Sequence, residues 1–125
     1  MILLLDGHAL IWWLAGDPAL TKTARSVIAD PANEVLVSAA TVWELAIKRA
    51  TGKLEVSSDL PAAIEAAGFT GLPVTLADAE AAASLPLRHK DPFDRMLVAQ
   101  AGRLDAVVVS RDQAFSKYDV HVLPA

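Results

Sequence analysis

The chain has 125 residues, 54% hydrophobic and 21% charged, with a formal net charge of −4 and no cysteine. That balance excludes a disordered tail, a disulfide scaffold and any thiolate metal centre, and it argues against a module that grips nucleic acid through a broad basic face. One domain over residues 1–125 is expected, because domains commonly run to about 100–150 residues and a chain of that size buries a core without staples. The apolar start "MILLL" has no basic region before it and is interrupted at Asp6, so it does not read as a secretory leader. No stretch reaches the ~18 apolar residues of a membrane span. The expectation is a soluble, cytoplasmic protein.

In chain order, a strand is expected at Ile2–Leu5, then helices at Gly7–Ala15 and Thr21–Ala29, the latter with Ala24, Val27 and Ile28 as its apolar positions. A strand at Glu34–Val37 leads to a helix at Ala39–Ala50 with Trp43, Ala46, Ile47 and Ala50 on one apolar stripe. Helices at Leu60–Ala67 and Leu76–Ser84 flank a weaker strand at Leu72–Val74. Helix Pro92–Leu104 has the clearest start signal, with Asp91 as N-cap and Pro92 at its first position. Strands at Ala106–Val109 and Val120–Leu123 close the chain. Continuous apolar strands suit burial on both faces, and their alternation with helices gives an α/β fold with a mostly parallel sheet of four or five strands.

Ligands of such sheets bind beyond the carboxyl ends of the strands. Asp6 stands there, directly after the first strand, Glu44 lies early in the helix after the second, and Asp112 comes two residues after "AVVV" and Ser110. Asp94, in the first turn of Pro92–Leu104, joins them if its helix starts at the same edge. Each has a structural reading too. Asp6 could cap the helix at Gly7 and Asp112 the short turn "DQAF", and Glu44 stands four before Lys48, the favourable order for a surface pair. "TVWE" would make Glu44 part of a capping box, but Ser38, directly after the strand, is the better cap. Asp94 borders the apolar stripe of Phe93, Met96 and Leu97, where a carboxylate is partly desolvated and needs a charge partner. Asp91 is fully explained as a cap.

Four converging carboxylates repel one another, and a cation resolves that. Oxygen ligands with neither His nor Cys favour Mg²⁺ or Mn²⁺ over zinc, and Mg²⁺ is commonly completed by substrate phosphate oxygens. The chemistry indicated is phosphoryl transfer to water. Asp6, Glu44, Asp94 and Asp112 together account for the whole net charge of −4, so a metal-loaded site would leave a molecule near neutrality, and the acidic balance is no obstacle to a nucleic-acid substrate.

"LLLDGHALIWWL", "SAATVWELAIKRATGKL", "HKDPFDRMLVAQA" and "VVVSRDQAFSKY", in that order, resemble the motif blocks of PIN-domain nucleases, most of all the VapC-type toxins of toxin–antitoxin pairs. The resemblance runs from Ile2 to Tyr118, and "DPFDR" with "AQA" after it is its most specific part. It implies a compact αβα sandwich and Mg²⁺- or Mn²⁺-dependent hydrolysis of RNA phosphodiester bonds in single strands or loops. It further implies a small VapB-type antitoxin whose tail occupies the cleft, and a homodimer. It places Asp6 and Asp94 on the metal, with Glu44 either ligating it or orienting the attacking water, and Asp112 completing the shell. This sequence departs from the pattern at Gly7, where the family often has Thr or Ser, so water or Ser110 would have to brace the metal shell instead.

Lys48, Arg49, Arg88, His89, Lys90, Arg95 and Arg111 are candidate phosphate contacts, and the cluster from Arg88 to Arg95 is the strongest candidate for a substrate rim. Ser110 is assigned to the substrate side with Lys48, Arg88, Lys90 and Arg95. For His8 a packing or helix-start role outweighs that of a catalytic base. Of Trp12 and Trp13, one is expected to fill the core and the other to face a dimer or antitoxin interface. The competing functions are another Mg²⁺-dependent α/β phosphohydrolase, a receiver-type signalling domain, and an inactive PIN-like interaction module. Asp6-Gly7-His8 lacks the Asp-x-Asp pair of the first, and "VVVSRD" lacks the lysine expected of the second.

Overall fold

A computed structural model describing residues 1–125 contains five strands: β1 Ile2–Leu5, β2 Glu34–Ser38, β3 Thr70–Leu72, β4 Val107–Val109 and β5 His121–Leu123. All pair in parallel, in the order β3-β2-β1-β4-β5. Six helices accompany them: α1 Gly7–Ala15, α2 Lys22–Ala29, α3 Ala39–Ala50, α4 Leu60–Ala66, α5 Leu76–Ser84 and α6 Pro92–Leu104. The α/β expectation therefore holds, and the sheet is parallel throughout.

Strand pleating splits the apolar runs between two layers. Leu3, Leu5, Val35, Val37 and Val109 face a core built with Leu10, Ala24, Ile28, Leu60 and Ile64 from α1, α2 and α4. Leu4, Leu36 and Val108 face a second core with Leu97, Val98 and Ala101 of α6 and with Phe115 and Tyr118. Helices thus cover both faces, which makes the three-layer αβα sandwich, and β1 is buried on both sides as its unbroken leucines require.

Two expectations shift. The third strand lies at Thr70–Leu72 rather than Leu72–Val74, because Pro73 has no N–H to give to a ladder whose last partners are Ser38 and Leu72. The stripe assigned to α3 faces the wrong way: Ala40, Thr41 and Leu45 are buried, whereas Trp43 is 64% and Ile47 41% exposed. Small residues let α3 approach the sheet closely, and Trp43 packs instead edge-on against Phe93 of α6, with centroids 5.4 Å apart.

The strand order places the topological switch beside β1. The chain builds β2 and β3 on one side of it and then crosses to lay β4 on the other. This opens a crevice at the carboxyl ends of β1 and β4, and α1, α3 and α6 start around it.

Candidate active site

Asp6, Asp112 and Asp91 reach the crevice through backbone devices. Asp6 N donates to Val109 O (3.1 Å), which ties the end of β1 to β4. As N-cap of α1, Asp6 accepts Ala9 N on Oδ1 (2.9 Å). Asp112 caps the 3-10 turn Gln113–Lys117 in the same way, accepting Ala114 N on Oδ1 (2.9 Å). Asp91 caps α6 by accepting Phe93 N and Asp94 N on Oδ1 (2.9 and 3.1 Å). The capping and site readings are therefore compatible. In each, Oδ1 fixes the carboxylate to a helix start and Oδ2 is left for other partners. Three helix starts also turn their positive ends toward this negative charge.

Ser38 caps α3 (Oγ accepts Ala40 N, 3.1 Å), so "TVWE" is not a capping box and Glu44 stands in the second turn. There Glu44 meets Lys48 Nζ at 3.5 Å. Gly7 explains why α3 can sit so near. A Cβ on Gly7 would lie 3.2 Å from Leu45 Cδ2 and 3.6 Å from Glu44 Oε1. The position occupied by a hydroxyl residue in the resembling family is here given over to the approach of α3 to α1. The bracing falls to Ser110. Its buried hydroxyl donates to Asp6 Oδ2 (2.5 Å) and accepts Asp112 N (3.0 Å), linking the first acid to the last. Ser110, proposed from the sequence on the substrate side, is thus buried and turned toward the carboxylates.

The cleft so formed has a volume of about 330 Å³ and is lined by Asp6, Glu44, Asp94 and Asp112, together with Asp91, His8, Lys48 and Lys53. The carboxylates are under strain from burial. Loss of solvent pushes Asp6 up despite the donors Ser110 and Ala9. It pushes Glu44 up too, with Lys48 opposing and Asp91 reinforcing. Asp94 is raised to about 6, chiefly by burial, with the His89 hydrogen bond acting against it and the charges of Asp91 and Asp112 adding to it. Five carboxylates line one small cavity, and Asp6, Glu44 and Asp94 among them resist ionising, a donor set suited to a divalent cation. The set is not all-oxygen, however: His89 Nε2 lies 2.8 Å from Asp94 Oδ2, and donor atoms of His89, Asp94 and Asp112 fall within 4.8 Å of one another.

The arginines of the expected basic rim are bonded to oxygens of the protein itself. Arg95 donates from its two terminal nitrogens to Ala82 O, Leu85 O, Pro86 O, His89 O and Tyr118 Oη (2.9–3.3 Å), so it fastens the α5–α6 connection rather than facing substrate. Arg111 bonds the main-chain oxygens of Ala19 and Ala125 and lies 4.3 Å over the Trp12 ring. Arg49 donates to Ser57 O (2.7 Å) and Arg88 to Lys117 O (2.9 Å). Lys90 is exposed outside the cleft lining. The cations at the cleft are Lys48 and Lys53. His8 stands in the first turn of α1, exposed at the cleft, with its ring 5.6 Å from that of Trp12. Neither Trp12 nor Trp13 fills the core; both lie partly exposed against it, Trp13 beside Phe69.

Asp91 and Lys53 were missed as cleft residues. Asp91 was hidden by its sufficiency as a cap, although its spacing of three from Asp94 puts both in one turn and was the available signal. Lys53 lies in the loop after α3, where no periodicity marks its direction.

A family model described as the PIN domain matches residues 3–121. Among solved structures, this chain resembles VapBC2 from Rickettsia felis bound to a DNA fragment from its promoter (TM-score 0.71, 11% identity, 98% of each chain covered). It also resembles FitAcB from Neisseria gonorrhoeae (TM-score 0.65, 23% identity, 99% of this chain and 97% of that one). A third likeness is to VapBC-5, a toxin–antitoxin system member from Mycobacterium tuberculosis (TM-score 0.62, 17% identity, 99% and 98%). No curated protein sequence matches.

Proposed function

The chain belongs to the PIN domain family, and from that premise we propose that it is a Mg²⁺- or Mn²⁺-dependent endoribonuclease, the toxin of a VapBC-type pair. The observation that carries this is the convergence of Asp6, Glu44, Asp91, Asp94 and Asp112 on one cleft at the β1–β4 switch. The raised proton affinities of Asp6, Glu44 and Asp94 call for a cation. A divalent ion held there supplies Lewis acidity and neutralises charge on a phosphodiester.

The protein's own groups do the rest. Asp6, locked by Ala9 N–H and the Ser110 hydroxyl, presents one fixed carboxylate; Asp94 and Asp112 present two more across the crevice. Glu44, steadied by Lys48, would orient a water and receive its proton, a role that a raised pKa favours. Lys48 and Lys53, the cations lining the cleft, are the groups to hold substrate phosphates. In the inactive-module alternative capping accounts for Asp6 and Asp112, but nothing accounts for the raised proton affinities of Asp6, Glu44 and Asp94 on one cleft.

A VapB-type partner is supported by the complexes that the fold resembles and by an apolar groove of about 770 Å³ between α1 and α4. Ile11 lines both that groove and the acidic cleft, so an occupant of one reaches the other. Trp43 and Ile47, exposed on α3, are the surface on which a homodimer would form. The reading is tested by incubating end-labelled single-stranded RNA, and DNA of the same sequence, with the purified protein in Mg²⁺, in Mn²⁺ and in EDTA. RNA cleavage confined to the metal-containing samples is expected. Cleavage unaffected by EDTA, or of DNA alone, would overturn it.

A further inference from the structure

His89 enters the carboxylate cluster from the connection between α5 and α6, and nothing in the roles above uses it. Its position is set by the backbone on both sides. His89 N donates to Tyr118 Oη (3.1 Å), and Arg95 donates to His89 O (3.3 Å). Tyr118 in turn donates to Pro86 O (2.9 Å), and Arg95 reaches Ala82 O and Leu85 O (both 2.9 Å). A side chain held this firmly, with its Nε2 2.8 Å from Asp94 Oδ2, is preorganised for whatever occupies the cleft.

We propose that His89 is a nitrogen ligand of the divalent cation held by Asp94 and Asp112, exchanging its bond to Asp94 for one to the ion. This rests on the metal site of the proposed function. Two donors bound at right angles to an ion at about 2.1 Å lie about 3 Å apart. The separation of Nε2 and Oδ2 is already close to that, so the ion enters by a small rotation of either side chain with the backbone still. Asp112 completes the triad within 4.8 Å. The chemistry also favours a neutral donor: the cleft holds more negative charge than one divalent ion cancels, and imidazole adds a bond to the metal without adding repulsion. Imidazole nitrogen suits Mn²⁺ better than Mg²⁺, so the site distinguishes the two ions more sharply than carboxylates alone would.

The test is pulsed electron paramagnetic resonance of the full chain loaded with Mn²⁺, which detects a directly bound imidazole nitrogen without any turnover. Wild type should show that coupling. His89→Gln, which keeps a polar side chain beside Asp94, should lose it and bind Mn²⁺ about 10–100-fold more weakly, with Mg²⁺ affinity changed far less. Asp94→Asn should abolish tight Mn²⁺ binding. No nitrogen coupling in loaded wild type, or coupling that persists in His89→Gln and so comes from His8, would overturn the proposal while leaving the metal site intact. Mn²⁺ binding indifferent to Asp94→Asn would overturn both.

Discussion

Replacing Asp94 by Asn should make the metal-free protein more stable at neutral pH. The Asp94 carboxyl is raised to about 6, chiefly by burial, against about 3.9 in an unfolded chain. Between those values the unfolded state releases its proton while the folded state keeps it. Asp94's contribution to stability is therefore most favourable below pH 4, falls as pH rises toward about 6, and carries the full cost above that. A gap of about two pH units is worth about 3 kcal/mol. The side chain is still 17% exposed at a solvent-filled cleft, and screening leaves ~1–2 kcal/mol. Asn has the same shape and still accepts a hydrogen bond from His89, but carries no charge to desolvate. For 125 residues the gain corresponds to a rise in Tm of about 3–8 °C at pH 7.5, shrinking to nothing near pH 4. Calorimetry in EDTA at pH 7.5, 6 and 4 measures it. A Tm lowered at pH 7.5, or a difference that does not change with pH, would refute the reasoning. Mn²⁺ at a hundredfold excess over Kd should then stabilise wild type by about 2.7 kcal/mol and leave Asp94→Asn unmoved.

Ser110→Ala removes the donor on Asp6 Oδ2 and leaves a buried acceptor unpaired; a loss of about 1–3 kcal/mol in chemical denaturation and at least a tenfold drop in RNA cleavage are expected. Asp91→Asn keeps the cap and should not lower Tm at pH 7.5, whereas Asp91→Ala should cost about 1 kcal/mol. The buried Asp78 carboxylate is held down to about 2, first by its bond to Arg103 (2.6 Å). Its contribution is present above about pH 4 and is lost as pH falls toward 2, so Asp78→Asn should flatten the acid limb of a stability–pH curve. Trp43→Ser, by removing the largest exposed aromatic of α3, should shift sedimentation toward the monomer without altering far-ultraviolet circular dichroism.

Local signals carried much of this fold. Three leucines running into Asp6 can be a doubly buried strand that leads to a helix start, and capping residues located Gly7–Ala15, Ala39–Ala50 and Pro92–Leu104 at their observed ends. The α3 stripe failed because periodicity tells which residues share a face but not whether core or solvent lies beyond it; Trp43 and Ile47 line a surface. The four acids were legible because a parallel sheet sends its strand ends to one edge. The main-chain partners of Arg95 and Arg111 were not, because their acceptors come from Ala82–Pro86 and Ala125, segments that only the tertiary fold brings near. His89 was read as a phosphate contact for the same reason: Tyr118, 29 residues away, fixes its direction.

The central claim, that the carboxylate cleft hydrolyses RNA with a divalent cation, is tested most directly by single-turnover cleavage of a labelled single-stranded RNA in Mn²⁺ by wild type and Asp94→Asn, each first shown folded. Wild type should cut at internal positions, and Asp94→Asn should be slower by at least a thousandfold. Equal rates in the two proteins would contradict the account.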